Sequence, residues 1–274
     1  MYLEKKFKNS VMFMNENRKL NMILKYIGNE KLTEIDEFAS EVSKRYFIEF
    51  SSDKEVEVFF IDYLADIYSD YSLEEMNNIR SYTGISFKDV NAILRGLWSY
   101  EDSGMLTEEK KKNSIELLNN LSKSIKKLRC ISANIKAYRG TSLNSFKDYG
   151  IMSLNDLVSL KGKYYFESGF TSTSLLRNKS FFNRKLEYHE FCNIEIEYLI
   201  PKESNDGLPL ITDELSYSKD QNEFLLNKSS LLKIIEVKIS SDGKKAYIKA
   251  ALIPQKMWNI SFNKESQLNL SKTI

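Results

Sequence analysis

The chain has 274 residues, of which 42% are hydrophobic and 12% aromatic, enough for one or two packed domains and too many for a disordered protein. Its 40 basic and 38 acidic residues nearly cancel, so the net charge does not indicate nucleic-acid binding. The cysteines, Cys130 and Cys192, are too few for a disulfide framework and indicate a reducing compartment. The single histidine, His189, argues against a zinc site and against Cys-His or Ser-His-Asp catalysis.

The beginning of the chain is basic, but no continuous apolar stretch follows it. A run of 18 apolar residues, the length needed to cross a bilayer as a helix, is also missing from the sequence. The sequence therefore predicts no secretion signal, no membrane contact and a cytoplasmic location.

The first 128 residues predict helices. Apolar residues recur at three- and four-residue spacing over 11–27, 32–47 and 56–67. Ser72 and Glu75 form a capping-box pattern that starts another helix, which we expect to stop at Gly84. A further helix is predicted to open at Ser86, and Thr107 is predicted to cap a long one that reaches residue 128.

The remainder of the chain predicts strands separated by turn signals such as Asp206-Gly207 and Asp242-Gly243. The predicted strands cover residues 135–139, 164–172, 193–200, 223–226, 232–239 and 246–253. Helices first and strands later indicate an α+β fold rather than alternating βαβ units. We expect a helical extension over residues 1–70 and a second domain over residues 71–274.

Three short motifs carry residues that suit chemistry. Arg139 and Gly140 end a predicted strand, where a guanidinium can grip an anion while the backbone approaches closely. Ser172 lies in a hydroxyl-rich strand, on the opposite face from Thr171 and Thr173. Taken singly, a surface arginine and a strand stabilised by cross-strand hydroxyl pairs are the favoured interpretations.

The third motif is Gln221-Asn222-Glu223, where a polar run meets an apolar strand. At strand spacing, Gln221 and Glu223 are expected to point to the same face. A carboxylate and an amide presented together suit a site that handles a sugar and an acceptor group. A lone Gln-x-Glu pattern is a weak signal.

In this order, Arg139, Ser172-Thr173-Ser174 and Gln221-Asn222-Glu223 resemble the Arg–Ser–Glu signature of mono-ADP-ribosyltransferase toxins, in the branch of the C3-like exoenzymes and the binary clostridial toxins. Tyr82-Thr83, followed by Asn91 and Arg95, resembles a helix of that family. Residues 181–184, Phe-Phe-Asn-Arg, fall where the family has its phosphate–nicotinamide loop. The resemblance covers roughly residues 75–255.

The resemblance implies a mixed or antiparallel β-sandwich core that cleaves NAD, as a substrate, without a metal. Glu223 would face the developing sugar cation, Ser172 would orient Glu223, and Gln221 would read the acceptor. The implied NAD-binding residues are Tyr82, Asn91, Arg95, Arg139, Gly140, Ser172, Thr173, Phe181, Phe182 and Arg184. Tyr82 is open to a second interpretation, as a buried core aromatic.

The acceptor is open to two interpretations. Glutamine at position 221 disfavours arginine as the acceptor, because an amide cannot pair with or deprotonate a guanidinium. It suits the asparagine of a Rho-type GTPase or a nucleobase of RNA or DNA. Rho-directed relatives resemble one another in an exposed aromatic three residues before the glutamine, where this chain has Ser218, with Tyr217 one position earlier. The sequence therefore favours a nucleobase acceptor in the same cell.

A different class of function is a non-catalytic binding module on the same fold. The intact Arg139, Ser172 and Glu223 argue against it. Residues 1–70 could cover the core, contact the acceptor, or bind an antitoxin or a carrier.

Overall fold

The computed structural model describes residues 14–95, 108–182 and 192–258. Helices come first: α1 Glu16–Val42, α2 Asp53–Asp70, α3 Leu73–Ser81, α4 Phe87–Arg95 and α5 Glu108–Lys127. Eight strands follow: β1 Ile135–Thr141, β2 Tyr164–Glu167, β3 Thr171–Ser174, β4 Ile194–Ile200, β5 Gly207–Leu210, β6 Glu223–Leu226, β7 Ser230–Ile239 and β8 Ala246–Ile253. A short helix, α6 Gln255–Trp258, comes last. The predicted α+β class is confirmed.

The helix boundaries follow the local sequence signals. Gly28 interrupts α1 with a positive φ of 76°, so the two predicted helices lie on either side of a kink. The capping box of Ser72 and Glu75 opens α3 with both reciprocal hydrogen bonds. At Gly84, a π-helical turn joins α3 to α4 rather than ending the helical region. The predicted cap at Thr107 lies outside the described residues.

The strands hydrogen-bond in the order β2-β7-β8-β4-β1-β3-β6-β5. The pairing of β4 with β8 is parallel and the other six pairings are antiparallel. This order sets β1, β3 and β6 side by side. The residues of the three sequence motifs therefore converge on neighbouring strands.

The single strand predicted over residues 164–172 is wrong, because two strands occupy this stretch. β2 pairs with β7 at one edge of the sheet, whereas β3 lies between β1 and β6. Between them, carboxylates take the backbone N–H groups out of the strand ladder: Ser168 donates to Glu16 at 3.0 Å and Gly169 donates to Glu167 at 3.1 Å. One carboxylate distant in sequence and one from the end of β2 thus divide a run that reads as continuous.

The sequence also missed β5. Gly207 was predicted to lie in a turn, but it begins an edge strand that contains Pro209. A proline inside a strand is tolerated at an edge, where its missing N–H breaks no ladder bond. Gly207 is opposite Leu226 in the register.

The hydrophobic core joins α2 to the sheet. Val56, Phe60, Tyr63 and Ile67 recur at helical spacing and are buried. The ring of Phe60 lies 6.0 Å from that of Phe224 on β6. Helix α1 contributes to a second apolar cluster, packed against β2, β7, β8 and α6. The domain boundary at residue 70 stays a prediction.

We predict that Gly207→Ala destabilises the fold. A methyl group at this position would lie 2.1 Å from Cε1 of the buried Phe224 ring, and forcing extra volume into a packed core costs about 1–3 kcal/mol. Urea unfolding would measure the loss. The control is Gly243→Asn, because a side chain there meets nothing within 4 Å and asparagine tolerates the positive φ. Equal stability of Gly207→Ala and the parent would contradict the packing account.

Candidate active site

Arg139, Ser172 and Glu223 come together on the neighbouring strands β1, β3 and β6. In the β3–β6 register, Ser174 is opposite Glu223 and Ser172 is opposite Leu225, so Ser172 is a diagonal neighbour of Glu223 on the same face. The Ser172 hydroxyl is hydrogen-bonded to the Glu223 carboxyl. Arg139 donates from Nη1 to the Ser172 carbonyl oxygen at 3.2 Å. The three residues therefore lie close together on neighbouring strands.

Glu223 is almost completely buried, with 7% of its surface exposed. Burial raises the pKa of its carboxyl from 4.5 to about 7, while the Ser172 hydrogen bond and the Arg139 charge lower it in part. Such a group exchanges its proton near neutrality. A carboxyl with a strongly shifted pKa in a cleft is a mark of functional sites.

The backbone at Gln221 has a different geometry from the predicted one. It ends a 3-10 turn, Lys219–Gln221, and Asn222 adopts a left-handed conformation with φ 45° and ψ 53° before β6 begins at Glu223. The expectation that Gln221 and Glu223 share a face through strand alternation is therefore wrong in its premise. The turn is held by the Ser174 hydroxyl, which donates to the Gln221 carbonyl oxygen at 2.7 Å.

Asp53, at the start of α2, contacts the same turn and was missed by the sequence analysis. Its Oδ1 accepts from Asn222 Nδ2 and from Lys179 Nζ, each at 2.5 Å. One carboxylate thus holds both the turn that precedes Glu223 and the segment that follows β3. No sequence motif links residues so far apart, although an acid in the first turn of a helix is a common feature.

Gly140 allows the backbone of residues 181–182 to lie against β1. A Cβ at Gly140 would be 2.3 Å from the backbone nitrogen of Phe182, so only glycine fits here. The ring of Phe182 makes an edge contact with Tyr247 at 5.5 Å and lies under Lys245 Nζ at 5.0 Å. Phe181 is exposed beside it. Arg184 lies outside the described residues.

Tyr82 is hydrogen-bonded to Asn91 and lies near Glu223. Asn91 donates from Nδ2 to the Tyr82 hydroxyl at 3.0 Å and accepts from the Phe170 backbone N–H at 2.9 Å. The Tyr82 ring is buried and makes an edge contact with Phe170. Burial, together with the Glu223 charge, raises the pKa of Tyr82. The Tyr82 ring is thus a buried core aromatic, as one of the two interpretations expected. Its hydroxyl lies near the Glu223 carboxyl.

Two other predicted NAD-binding side chains are engaged within the fold. Thr173 is buried and donates from Oγ1 to the Phe224 carbonyl oxygen at 2.6 Å, so its hydroxyl is used between β3 and β6. Arg95 is paired through Nε with Glu167 Oε1 at 3.0 Å. Glu167, which the sequence analysis missed, therefore sets the position of Arg95.

The described ranges contain no group of three or more His, Cys, Asp or Glu side chains placed to hold a metal ion. Within those ranges, no helix is both long enough and apolar enough to cross a membrane.

A match to a known protein family identifies the class of the chain. Residues 57–256, more than half of the chain, match the profile of the family described as ADP-ribosyltransferase exoenzyme. No curated protein sequence matches the chain significantly. The chain belongs to the ADP-ribosyltransferase exoenzyme family. It is an NAD-dependent mono-ADP-ribosyltransferase of the toxin type, and NAD is its substrate.

Solved structures share this fold. C3stau2 from S. aureus, determined with NAD, has a TM-score of 0.60 and 20% identity, over 77% of this chain and 100% of that one. The C3 exoenzyme of Clostridium limosum has a TM-score of 0.56 and 22% identity, over 76% and 98%. The Vis toxin of Vibrio splendidus has a TM-score of 0.53 and 18% identity, over 80% and 92%.

We predict that the stability of the protein depends on pH through Glu223. The folded protein keeps this proton up to about pH 7, whereas the unfolded chain releases it near 4.5. The associated stability is present below the lower value and is lost as pH rises through the upper one, at about 1.4 kcal/mol per pH unit in between. Glu223→Gln, neutral at every pH, should make the decline shallower in urea unfolding between pH 5 and 8.

Glu16 is also buried with its pKa raised to about 7, but the parent and Glu223→Gln both retain it. The difference between their slopes therefore reports Glu223 alone. The exposed Glu57→Gln is the matched control and should keep the parental slope. Parallel curves for the parent and Glu223→Gln would show that Glu223 is ionised in the folded protein throughout this range.

Proposed function

We propose that Glu223 is the catalytic carboxylate of ADP-ribosyl transfer and that the acceptor is a side-chain amide of a protein. The observation that carries the first part is the convergence of Glu223, Ser172 and Arg139 on neighbouring strands, with a buried carboxyl whose pKa is raised to about 7. In NAD the nicotinamide ring is cationic, and its positive charge beside Glu223 favours the ionised carboxylate.

The reaction breaks the bond between ribose C1′ and the nicotinamide nitrogen. The bonding electrons leave with nicotinamide, which departs neutral and needs no general acid. Positive charge develops on the ribose, as in glycoside hydrolysis, and the Glu223 carboxylate stabilises it. The acceptor nitrogen then bonds to C1′ and releases its proton to the solvent. Ser172 orients Glu223 by the hydrogen bond between their side chains.

The proposed NAD-binding residues surround Arg139 and Gly140 on β1. Arg139 carries a guanidinium suited to the diphosphate, and Gly140 lets the segment of Phe181 and Phe182 close over β1. Phe181, which is exposed, is proposed to stack near nicotinamide. Arg95 reaches the diphosphate by exchanging its contact with Glu167 for one with phosphate, and Arg184 is proposed as a further phosphate ligand.

Gln221 recognises the acceptor group. Its amide both donates and accepts, so it matches another amide in a paired hydrogen bond. The exposed charged side chains of the surrounding loop are Asp213, Glu214, Lys219 and Asp220. Lys219 is paired with Asp213 at 2.5 Å. A surface with this excess of acids repels a polyphosphate backbone, which favours a protein asparagine over a nucleic acid.

A nucleobase is the second candidate acceptor. Gln221 can also pair with a base edge, and Ser218 stands where Rho-directed relatives have an aromatic. Tyr217 lies one position earlier, with its ring 4.6 Å from Cζ of Arg80. Incubation of the protein with radiolabelled NAD and whole lysate, followed by nuclease or protease digestion, separates the two candidates. Protease-sensitive label supports the protein acceptor, and nuclease-sensitive label supports the nucleobase.

We predict that Glu223→Ala lowers both NAD hydrolysis and transfer by roughly 100- to 1000-fold, the usual loss when one preorganised electrostatic group is removed. Nicotinamide release and label transfer would be measured on the same preparation. Thermal unfolding checks that the variant is folded. Parental activity would remove Glu223 from its proposed role, and inactivity of the parent itself would favour the non-catalytic binding module.

We predict that Gln221→Ala lowers transfer more than it lowers NAD hydrolysis, because the residue contacts the acceptor and not the bond that breaks. The ratio of transferred label to released nicotinamide is the measurement. Gln221→Glu tests the amide itself, since a carboxylate of the same size cannot donate a hydrogen bond. A ratio unchanged in both variants would exclude Gln221 from acceptor recognition.

A further inference from the structure

The outward face of α2 carries an exposed apolar stripe. Val58, Ile61, Ala65 and Tyr68 follow one another at spacings of three, four and three residues, so they lie along one side of the helix. This side is opposite the buried residues of α2. Val58 and Ile61 are 63% and 64% exposed, and Tyr68 is 42% exposed. We define these four residues as the α2 stripe.

Acidic residues flank the α2 stripe. Helix α2 contains six acids and one lysine, Lys54, which lies at its first turn. Glu57 lies on one side of the stripe and Asp62 on the other, and both are exposed. Among the described residues, neither makes an ion pair, whereas Asp66 is paired with Arg129 at 2.9 Å. An apolar strip between uncompensated carboxylates complements a protein surface with apolar side chains and a rim of lysine or arginine.

Both ends of helix α2 contact the loop that carries Gln221. At its C-terminal end, the Tyr68 hydroxyl contacts Thr212 Oγ1 at 2.8 Å and donates to Glu214 Oε2 at 3.0 Å. At its N-terminal end, Asp53 holds Asn222, the residue between Gln221 and Glu223. The α2 stripe is thus continuous with the acidic loop next to the catalytic carboxylate.

We propose that the α2 stripe is the docking surface for the protein acceptor. The acceptor would place apolar side chains on Val58, Ile61 and Tyr68, and basic side chains near Glu57 and Asp62. Contact with Tyr68 holds the loop that presents Gln221, so docking and acceptor recognition share one rigid element. The same acids oppose a nucleic acid, whose phosphates they would repel. This inference rests on the proposed transfer to a protein.

The test compares NAD hydrolysis with transfer in the full-length protein. Radiolabelled NAD and the protein fraction of a nuclease-treated lysate are the probes. In the double variant Val58→Ser/Ile61→Ser, we expect unchanged NAD hydrolysis and roughly tenfold less protein labelling, the usual scale for removing central interface contacts. Glu57→Lys/Asp62→Lys should lower labelling as well and reduce its sensitivity to salt.

The matched control is Met152→Ser/Val158→Ser. These side chains are 76% and 50% exposed and lie in the connection between β1 and β2. We expect parental labelling from this variant. Because all the substituted residues are exposed, thermal unfolding should show little change for any of them.

Three outcomes would overturn the docking surface. Labelling of the stripe variant at the parental rate would show that the acceptor binds elsewhere. An equal fall in hydrolysis and labelling would assign the stripe a structural effect on the cleft. Label found only in nucleic acid, in a lysate without nuclease, would show that the acceptor is a nucleic acid and not a protein. The proposed cleavage of NAD would still stand. Absence of NAD cleavage by the parent would instead overturn the proposed function.

Discussion

Ionising a carboxyl group that is almost fully removed from water costs a large desolvation free energy. The arrangement of the site depends on the interactions that offset this cost at Glu223. Ser172, from the adjacent strand β3, and Arg139, from β1 on the far side of β3, are the groups that favour the charged form. They only partly offset burial, so the pKa remains near 7. The free protein therefore holds this carboxyl between two protonation states near neutrality. In the proposed mechanism, the cationic nicotinamide of NAD would add a charge that favours ionisation.

The surroundings of Glu223 are set by contacts between elements that are distant in the chain. Helix α2 packs Phe60 against Phe224, the residue after Glu223, and holds the preceding turn through Asp53. Strand β3 supplies Ser172 to the cleft and Ser174 to the turn. The Glu223 carboxyl is thus positioned through its backbone, its side chain and the turn that precedes it.

Local signals predicted much of this structure. Helical spacing, the capping box at Ser72 and the apolar run after Glu223 depend on neighbours in sequence, and each has its expected structure. The sites where prediction failed depend on partners far away. The division between β2 and β3 requires Glu16, the geometry of Gln221 requires a left-handed Asn222, and Arg95 is held by Glu167. The three motif residues could be named from the sequence because their order resembles the Arg–Ser–Glu signature, but the side chains that hold them follow no local pattern.

The division between β2 and β3 also links the start of the chain to the cleft. Glu16 accepts hydrogen bonds from both the N–H and the hydroxyl of Ser168, and Lys19 bridges that hydroxyl and the Leu94 carbonyl oxygen. Both residues precede position 57, where the match to the family begins. Removal of the residues before position 57 would take away the Glu16 and Lys19 side chains, which hydrogen-bond to Ser168 between β2 and β3. The contacts that separate β2 from β3 therefore extend beyond the segment that the family profile matches.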